Sequence, residues 1–183
     1  GRRAEYDSYQ FHVSRGVADK LIDAGCVVGK KTEQDFEIPE WIRTGDKDVQ
    51  VEFLAALFGA EGSTPRQRSG AKEKLPQSIC LKMMKNAESP IFFEQIMTML
   101  EGLGVRATLT QSKERGKISY SVLVHTGLEN ALIFFSEVGY RYARRKEEAA
   151  FLWTYYLMAY RHEGVMRKAQ VAGLREQGLS YAK

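Results

Sequence analysis

Apolar residues between positions 51 and 63 recur with the period of an α-helix. The apolar face is formed by residues spaced i, i+3, i+4 and i+7, namely Val51, Leu54, Ala55 and Phe58. Gly59 lies inside this predicted helix, where glycine costs about 1 kcal/mol relative to alanine. Close contact with a second helix would account for the glycine. The pattern therefore predicts a buried helix with a strip of small residues beside its apolar face.

The predicted helix ends on an acid followed by a glycine. Gly62 is expected to adopt the left-handed conformation that commonly caps helices. Glu61 would lie at the negative end of the helix dipole, where a carboxylate is disfavoured unless a cation neutralises it. The placement suggests a metal ligand, although a capped, buried helix end without metal accounts for the same residues.

Changes of period along the rest of the chain predict an alternation of strands and helices. Strand patterns occupy residues 8–13, 79–85, 105–111 and 117–122, and helical patterns occupy residues 17–22, 90–103, 126–138, 147–161 and 165–174. Thr126 begins a sequence that reads as a capping box, and Asp46 or Asp48 can cap the first long helix. Gly164 separates the last two predicted helices.

Residues 105–111 and 117–122 form a predicted hairpin with one apolar face and one polar face. The polar face carries Arg106, Thr108, Thr110, Lys117, Ser119 and Ser121. A two-stranded ribbon of this kind fits the major groove of DNA, which is about 12 Å wide, but polar outer faces are also usual in soluble sheets. Lys82 lies on one side of the strand 79–85, and the polar loop 63–78 contains Arg66 and Arg68.

Charge is distributed unevenly along the 183 residues, whose net charge is +4. Residues 1–62 carry 8 Lys or Arg against 12 Asp or Glu, whereas residues 63–183 carry 19 against 11. A basic part of this kind is expected for a protein that binds a polyanion. Cys26 and Cys80 lack the spacing of a zinc site, so we expect reduced thiols in or near the core, in an intracellular compartment. The sequence pattern predicts neither a membrane span nor a signal peptide.

Residues 54–62, Leu-Ala-Ala-Leu-Phe-Gly-Ala-Glu-Gly, resemble the nine-residue signature of the LAGLIDADG homing endonucleases. Residues 38–42, Ile-Pro-Glu-Trp-Ile, are similar to the lead-in of the intein-encoded members. The resemblance implies an α/β fold, a LAGLIDADG αββαββα repeat with an antiparallel DNA-binding sheet, followed by C-terminal helices. It also implies site-specific recognition and cleavage of double-stranded DNA.

The resemblance assigns roles to individual residues. The acid at the eighth signature position, Glu61, would bind Mg²⁺ or Mn²⁺ together with Gly62, while Gly59 stands where the signature usually has an acid. Lys146 and Lys31 stand where the family places a lysine near the active-site water, although a solvated charge cluster is an equal alternative. The DNA-binding surface would comprise Arg66, Arg68, Lys82, Arg106, Thr108, Thr110, Lys117, Ser119 and Ser121.

The same comparison divides the chain into four parts. Residues 1–37 would be the tail of a first repeat, 38–50 a linker, 51–146 a complete repeat and 147–183 a C-terminal helical extension. One signature helix supplies one acid, so cleavage of two strands requires a homodimer or a missing N-terminal half. Residues 177–183 resemble the turn of a helix-turn-helix.

Two other functions fit the sequence. The first is a catalytically inactive LAGLIDADG-derived module that binds DNA or RNA, such as a transcriptional regulator or a maturase. The second is a scaffold domain of an intein, without splicing chemistry of its own. The expected location is the cytoplasm or nucleoid, or the nucleus of a eukaryote, and no membrane partner is expected.

Overall fold

A computed structural model describes residues 12–67, 75–85, 89–114 and 117–177. The helices are α1 Arg15–Asp23, α2 Glu40–Arg43, α3 Lys47–Glu61, α4 Ile91–Gly102, α5 Leu128–Ile133 and α6 Arg144–Glu176. The strands are β1 Ile79–Lys85, β2 Ala107–Glu114 and β3 Lys117–Val124, and a π-helical segment, Phe134–Val138, follows α5. The expected mixed α/β architecture is confirmed.

The three strands form one antiparallel sheet in the order β1-β3-β2. The predicted alternation in β3 is confirmed on its apolar side, where Tyr120, Val122 and Val124 are buried. Helix α4 packs on β2 and β3, and α3 packs on β1. The core therefore lies between the helices and one face of the sheet, and the other face is left for polar residues.

Helix α3 begins at Lys47, four residues before the first residue of its apolar pattern. Asp46 is its N-cap, and the Asp46 carboxylate accepts a hydrogen bond of 3.1 Å from the backbone N–H of Val49. This bond satisfies one of the free N–H groups of the first turn. Leu54, Ala55 and Phe58 of the predicted apolar face are fully buried.

The chain after α3 runs beside β1 in the antiparallel direction. Gly62 pairs with Leu81, Gln67 pairs with Pro76, and the Ser63 N–H donates to the Cys80 carbonyl at 2.7 Å. Because residue 62 goes straight into this pairing, its backbone is extended (φ −72°, ψ 156°). The predicted left-handed cap at Gly62 is wrong for this reason.

Three further local predictions are wrong. Thr126 does not cap α5, because the N-cap is Gly127 and no side chain bonds the first turn. Gly164 does not end a helix, since α6, which has 33 residues in all, runs through it to Glu176. Cys26 is exposed rather than near the core, while Cys80 is half-buried and its burial raises the pKa of its thiol.

The segment before α2 follows the prediction in part. Helix α1 is present, but none of its residues is buried, and Val17, Leu21 and Ile22 face solvent. Most of the strand predicted at 8–13, and residues 178–183 of the helix-turn-helix resemblance, lie outside the described residues. Over the part of the chain that the structure describes, no helix is long and apolar enough to cross a membrane.

Candidate active site and nucleic-acid interface

The C-terminal end of α3 brings one carboxylate and two lysines together. The Nζ atom of Lys31 lies 2.5 Å from Oε1 of Glu61, and both side chains remain partly open to solvent. Lys31 belongs to the loop between α1 and α2, which is held in place where the Trp41 indole N–H donates to the Ala24 carbonyl at 2.9 Å. The loop thus delivers a cation to the last residue of α3 from thirty positions earlier in the chain.

Lys146 caps the same helix end from the first turn of α6. Its Nζ donates to the carbonyl oxygens of Gly59 and Gly62, each at 2.6 Å. The last carbonyls of a helix have no partner within the helix and carry partial negative charge, so a cation is favoured there. Burial lowers the pKa of Lys146, while the nearby Glu61 carboxylate acts in the opposite direction. Lys146 therefore fixes the backbone that carries Glu61.

Gly59 is explained by a close backbone contact, but not with a helix. A Cβ atom at this position would lie 1.9 Å from the carbonyl oxygen of Arg141. The Arg141 N–H donates to the Ala55 carbonyl at 2.9 Å, and the Tyr140 hydroxyl donates to the Ser63 carbonyl at 3.1 Å. The segment that follows the π-helix is therefore bonded along α3 and beyond its end.

This helix end offers one carboxylate of the kind that binds divalent metals. Glu61 supplies carboxylate oxygens, which suit Mg²⁺ or Mn²⁺. The carbonyl of Gly62, the other predicted ligand, is engaged by Lys146. Within the described ranges no group of three or more His, Cys, Asp or Glu side chains could hold a metal. The residues fit a metal site only if a second acid and phosphate oxygens complete it.

The polar face of the sheet gathers most of the predicted DNA-binding residues. Lys82 of β1 pairs with Ser121 of β3, which pairs with Thr110 of β2, so the three form one row across the sheet. Thr108 is exposed on the same face, and its hydroxyl lies 2.7 Å from Nε2 of His125. Arg66, Arg106 and Lys117 are also exposed, whereas Arg68 lies outside the described residues.

Ser119 departs from the prediction that it is accessible. It is 1% exposed, and its hydroxyl has no hydrogen-bond partner. Residue 119 lies on the central strand, where it pairs with residue 84 of β1 and residue 112 of β2. A side chain this deeply buried is not accessible to DNA in this arrangement.

Asn130 stabilises the ends of two strands of the sheet, and the sequence analysis did not single it out. Its side-chain amide accepts from the Arg106 N–H at 2.7 Å and donates to the carbonyls of Arg106 and His125. These bonds fix the start of β2 and the end of β3. The signal in the sequence was an asparagine between apolar residues on one helical face, a position where a buried amide needs partners.

Curated relatives match the chain over small parts of their own length. In Methanocaldococcus jannaschii, DNA-directed RNA polymerase subunit Rpo1N is 33% identical over 78% of this chain, and the match covers 11% of that protein. Replication factor C small subunit is 31% identical over 66% of the chain, which is 6% of its length. The tRNA-splicing ligase RtcB is 34% identical over 73% of the chain, which is 14% of its length. No solved structure matches the chain.

A family model matches residues 48–139, half of the chain. The matched range begins in the first turn of α3 and ends at Gly139, after the π-helical segment, so it contains the acid-bearing helix and the whole described sheet. Homing endonucleases of the LAGLIDADG family recognise and cleave DNA and generally use divalent metals. On this match over half of its length, the chain belongs to the family of LAGLIDADG-like domains.

Proposed function

We propose that the chain is one half of a site-specific, double-strand DNA endonuclease that depends on Mg²⁺ or Mn²⁺. The observation that carries the proposal is the meeting of Glu61, Lys31 and Lys146 at the end of α3, beside the sheet whose other face is polar. The predicted row of Lys82, Ser121 and Thr110 would then contact phosphates and base edges. Recognition and cleavage would be carried by adjoining surfaces.

In this proposal Glu61 holds the metal and the two lysines act around it. Lys146 keeps the end of α3 rigid, which fixes the direction of the Glu61 carboxylate. Lys31 exchanges its bond with Glu61 for contact with a phosphate or the attacking water as DNA enters. When bound, the metal would lower the pKa of a water nucleophile and stabilise the leaving 3′ oxygen. The second acid would come from another copy of α3 or from a preceding half.

The matched relatives support an origin as an inserted, mobile domain. Their names describe an RNA polymerase subunit, a replication factor subunit and a tRNA-splicing ligase, three unrelated activities. In each case the match covers a small share of the protein. A segment common to such different hosts is better explained by insertion than by a shared reaction, and this fits an intein-encoded endonuclease.

The direct test is nicking of supercoiled plasmid DNA in Mg²⁺ by the purified chain and by Glu61→Gln. We expect nicking that is lost in the variant, because an amide is a much poorer ligand for a hard divalent cation than a carboxylate. Asp48→Asn is the matched control, since Asp48 is an exposed acid at the opposite end of α3. Equal nicking by all three proteins would remove Glu61 from the reaction.

Binding is tested separately by the dependence of DNA affinity on salt. Replacing Arg106 and Lys117 with glutamine should reduce the slope of log affinity against log salt by roughly 2, because each phosphate contact contributes about 0.9. The control is the same neutralisation of Arg167 and Lys168 on α6, which should leave the slope unchanged. A slope unaffected by the hairpin variant would place DNA elsewhere on the molecule.

A non-cleaving DNA- or RNA-binding module is the second candidate, and the ion pair between Lys31 and Glu61 favours it. A carboxylate neutralised by a lysine of its own chain needs no metal to be stable at a helix end. On this account Glu61→Gln would leave nucleic-acid affinity unchanged, and neither protein would nick in Mg²⁺ or Mn²⁺. A salt-dependent affinity without nicking, in a chain that sediments as a dimer, would support this candidate against the endonuclease.

A further inference from the structure

The outer face of the sheet carries one large exposed apolar side chain among its described residues, that of Leu123. It is 37% exposed, whereas Val122 and Val124 beside it are buried on the core side. A single exposed leucine is ordinary on a protein surface. This one lies on the face that the proposed function sets against DNA, so whatever covers that face must also cover Leu123.

Cross-strand pairing places Leu123 in the middle of a row. Cys80 of β1 lies on one side of it and Thr108 of β2 on the other, and β3 is the central strand. The row continues beyond β1 to Ser63, whose hydroxyl accepts a hydrogen bond of 3.0 Å from the Cys80 N–H. The next row along the strands is the polar one that contains Ser121. Leu123 is therefore central to the face rather than at its rim.

The two neighbours of Leu123 do not bring charge to the row. The Thr108 hydroxyl is bonded to Nε2 of His125 at 2.7 Å, and the His125 carbonyl accepts from the Asn130 amide. Burial raises the pKa of the half-buried Cys80 thiol, so the thiol stays protonated near neutral pH. A protonated cysteine behaves as a small apolar group. Leu123 and Cys80 together thus form a small uncharged, apolar area.

The major groove of DNA offers one prominent apolar group, the C5-methyl of thymine, among base edges that display donors and acceptors. A donor or acceptor set against Leu123 would lose its bonds to water without a replacement, which costs affinity. A methyl group loses no such bond. Exposed cations surround the row, since Lys82 lies in the next row and Arg106 and Lys117 lie near strand ends, where they suit phosphates.

We propose that Leu123 is a specificity-determining residue that contacts the C5-methyl group of a thymine in the major groove. The inference rests on the proposed function, because it requires that the outer face of the sheet meet DNA. It adds the class of base that the centre of this face selects. The polar row beside it, by contrast, is suited to hydrogen bonds with base edges.

Selection of bound sequences from a random pool of duplex DNA compares the purified chain with Leu123→Gln and Leu174→Gln. The chain and Leu174→Gln should prefer thymine at one position of a common site. Leu123→Gln should prefer adenine there, because glutamine bonds N6 and N7 of adenine. Leu174 is the matched control, a leucine of α6 that is 40% exposed. Both leucines are exposed, so the variants should fold, which circular dichroism checks.

Removing the methyl group from the DNA tests the contact without changing the protein. Deoxyuridine in place of the selected thymine should weaken binding by the chain roughly fourfold, as expected for one buried methyl-sized group. Leu174→Gln should show the same ratio, and Leu123→Gln should bind the two duplexes equally. Fluorescence anisotropy of labelled duplexes measures the affinities. At the same position, 5-methylcytosine should bind the chain more tightly than cytosine by a similar factor.

The outcomes separate this inference from the proposed function. Equal affinity of the chain for thymine and deoxyuridine would overturn the contact, as would a fourfold ratio that persists in Leu123→Gln. A base preference that Leu123→Gln leaves unchanged would also overturn it. In these cases sequence recognition by the rest of the sheet would stand. Enrichment of no sequence by the chain would overturn the contact together with the site-specific recognition on which it rests.

Discussion

The two long helices, α3 and α6, are stabilised in opposite ways. Helix α3 has 15 residues, is capped by Asp46 at one end and by Lys146 at the other, and buries four of its residues. Helix α6 has 33 residues and buries two. The short helix carries the proposed chemistry, and its geometry is determined by packing at nearly every turn. Most of the long helix is open to solvent over the described part of the chain.

Paired phenylalanine substitutions give the largest expected contrast between the helices. Phe58→Ala should lower the free energy of unfolding by about 3–5 kcal/mol, because Phe58 is fully buried and its ring packs against Phe134 at 5.0 Å between centroids. Phe151→Ala should change it by no more than about 0.5 kcal/mol. Urea unfolding of the two variants measures both free energies. Similar losses would mean that α6 is packed as tightly as α3.

Replacing each of two glycines with alanine should change the stability of the protein in opposite directions. Gly59→Ala would place a methyl group against the Arg141 carbonyl oxygen, and relief of the overlap requires backbone movement that costs about 1–3 kcal/mol. Gly164→Ala meets no atom within 4 Å and should stabilise α6 by about 0.5–1 kcal/mol through helix propensity. Thermal unfolding of the two variants checks the prediction, and a stabilised Gly59→Ala would contradict the close approach.

Paired lysine substitutions separate a helix cap from a surface ion pair. Lys146→Met leaves two carbonyls of α3 without donors, and because Lys146 is half-buried we expect a loss of about 1–2 kcal/mol. Lys47 bonds Glu137 at 2.5 Å on the surface, and Lys47→Met should cost about 1 kcal/mol or less. Denaturant midpoints of the two variants give the comparison. Equal losses would show that the cap stabilises the protein no more than a surface ion pair does.

The same lysine predicts a small effect of pH. Its pKa in the folded protein is lowered by burial from the usual 10.5, so between the two values the unfolded chain binds more protons. The Lys146 contribution to the free energy of unfolding therefore rises with pH across that window. The wild-type protein should gain stability relative to Lys146→Met as the pH increases there. A constant difference between the two proteins would contradict the lowered pKa.

Elements with a regular pattern were predicted well from the sequence. The spacing of their apolar residues determines which face of the helix or strand is buried. The alternation of β3 and the helical pattern at 90–103 are confirmed, since Phe92, Ile96 and Leu100 of α4 are buried. Local signals failed where a distant residue decided the outcome. The backbone at Gly62 is extended because it pairs with Leu81, which lies 19 positions later in the chain. Ser119 is buried on the central strand, although the alternation of polar and apolar residues predicted an exposed side chain.

The candidate site was predictable only in its residue types. Glu61 at a helix end suggested a cation, but neither the contact of Lys31 with Glu61 nor the bonds of Lys146 to α3 follow from spacing. They span 30 and more than 80 positions, and they depend on how three separate elements pack. The resemblance to a family named the two lysines, and the structure supplies their contacts.

The hydrogen bond from Arg141 to Ala55 has a consequence for synthesis on the ribosome. Residue 55 leaves the ribosome long before residues 141 and 146, which complete the docking of α3 and lie just beyond the matched family range. Contacts between such distant residues form slowly, and apolar surface stays open in the meantime. During synthesis α3 therefore lacks these stabilising contacts until residues 141 and 146 have left the ribosome. A chain truncated after residue 139 would keep the matched family sequence. Its helix α3 would lack the hydrogen bond from Arg141 to Ala55 and the bonds from Lys146.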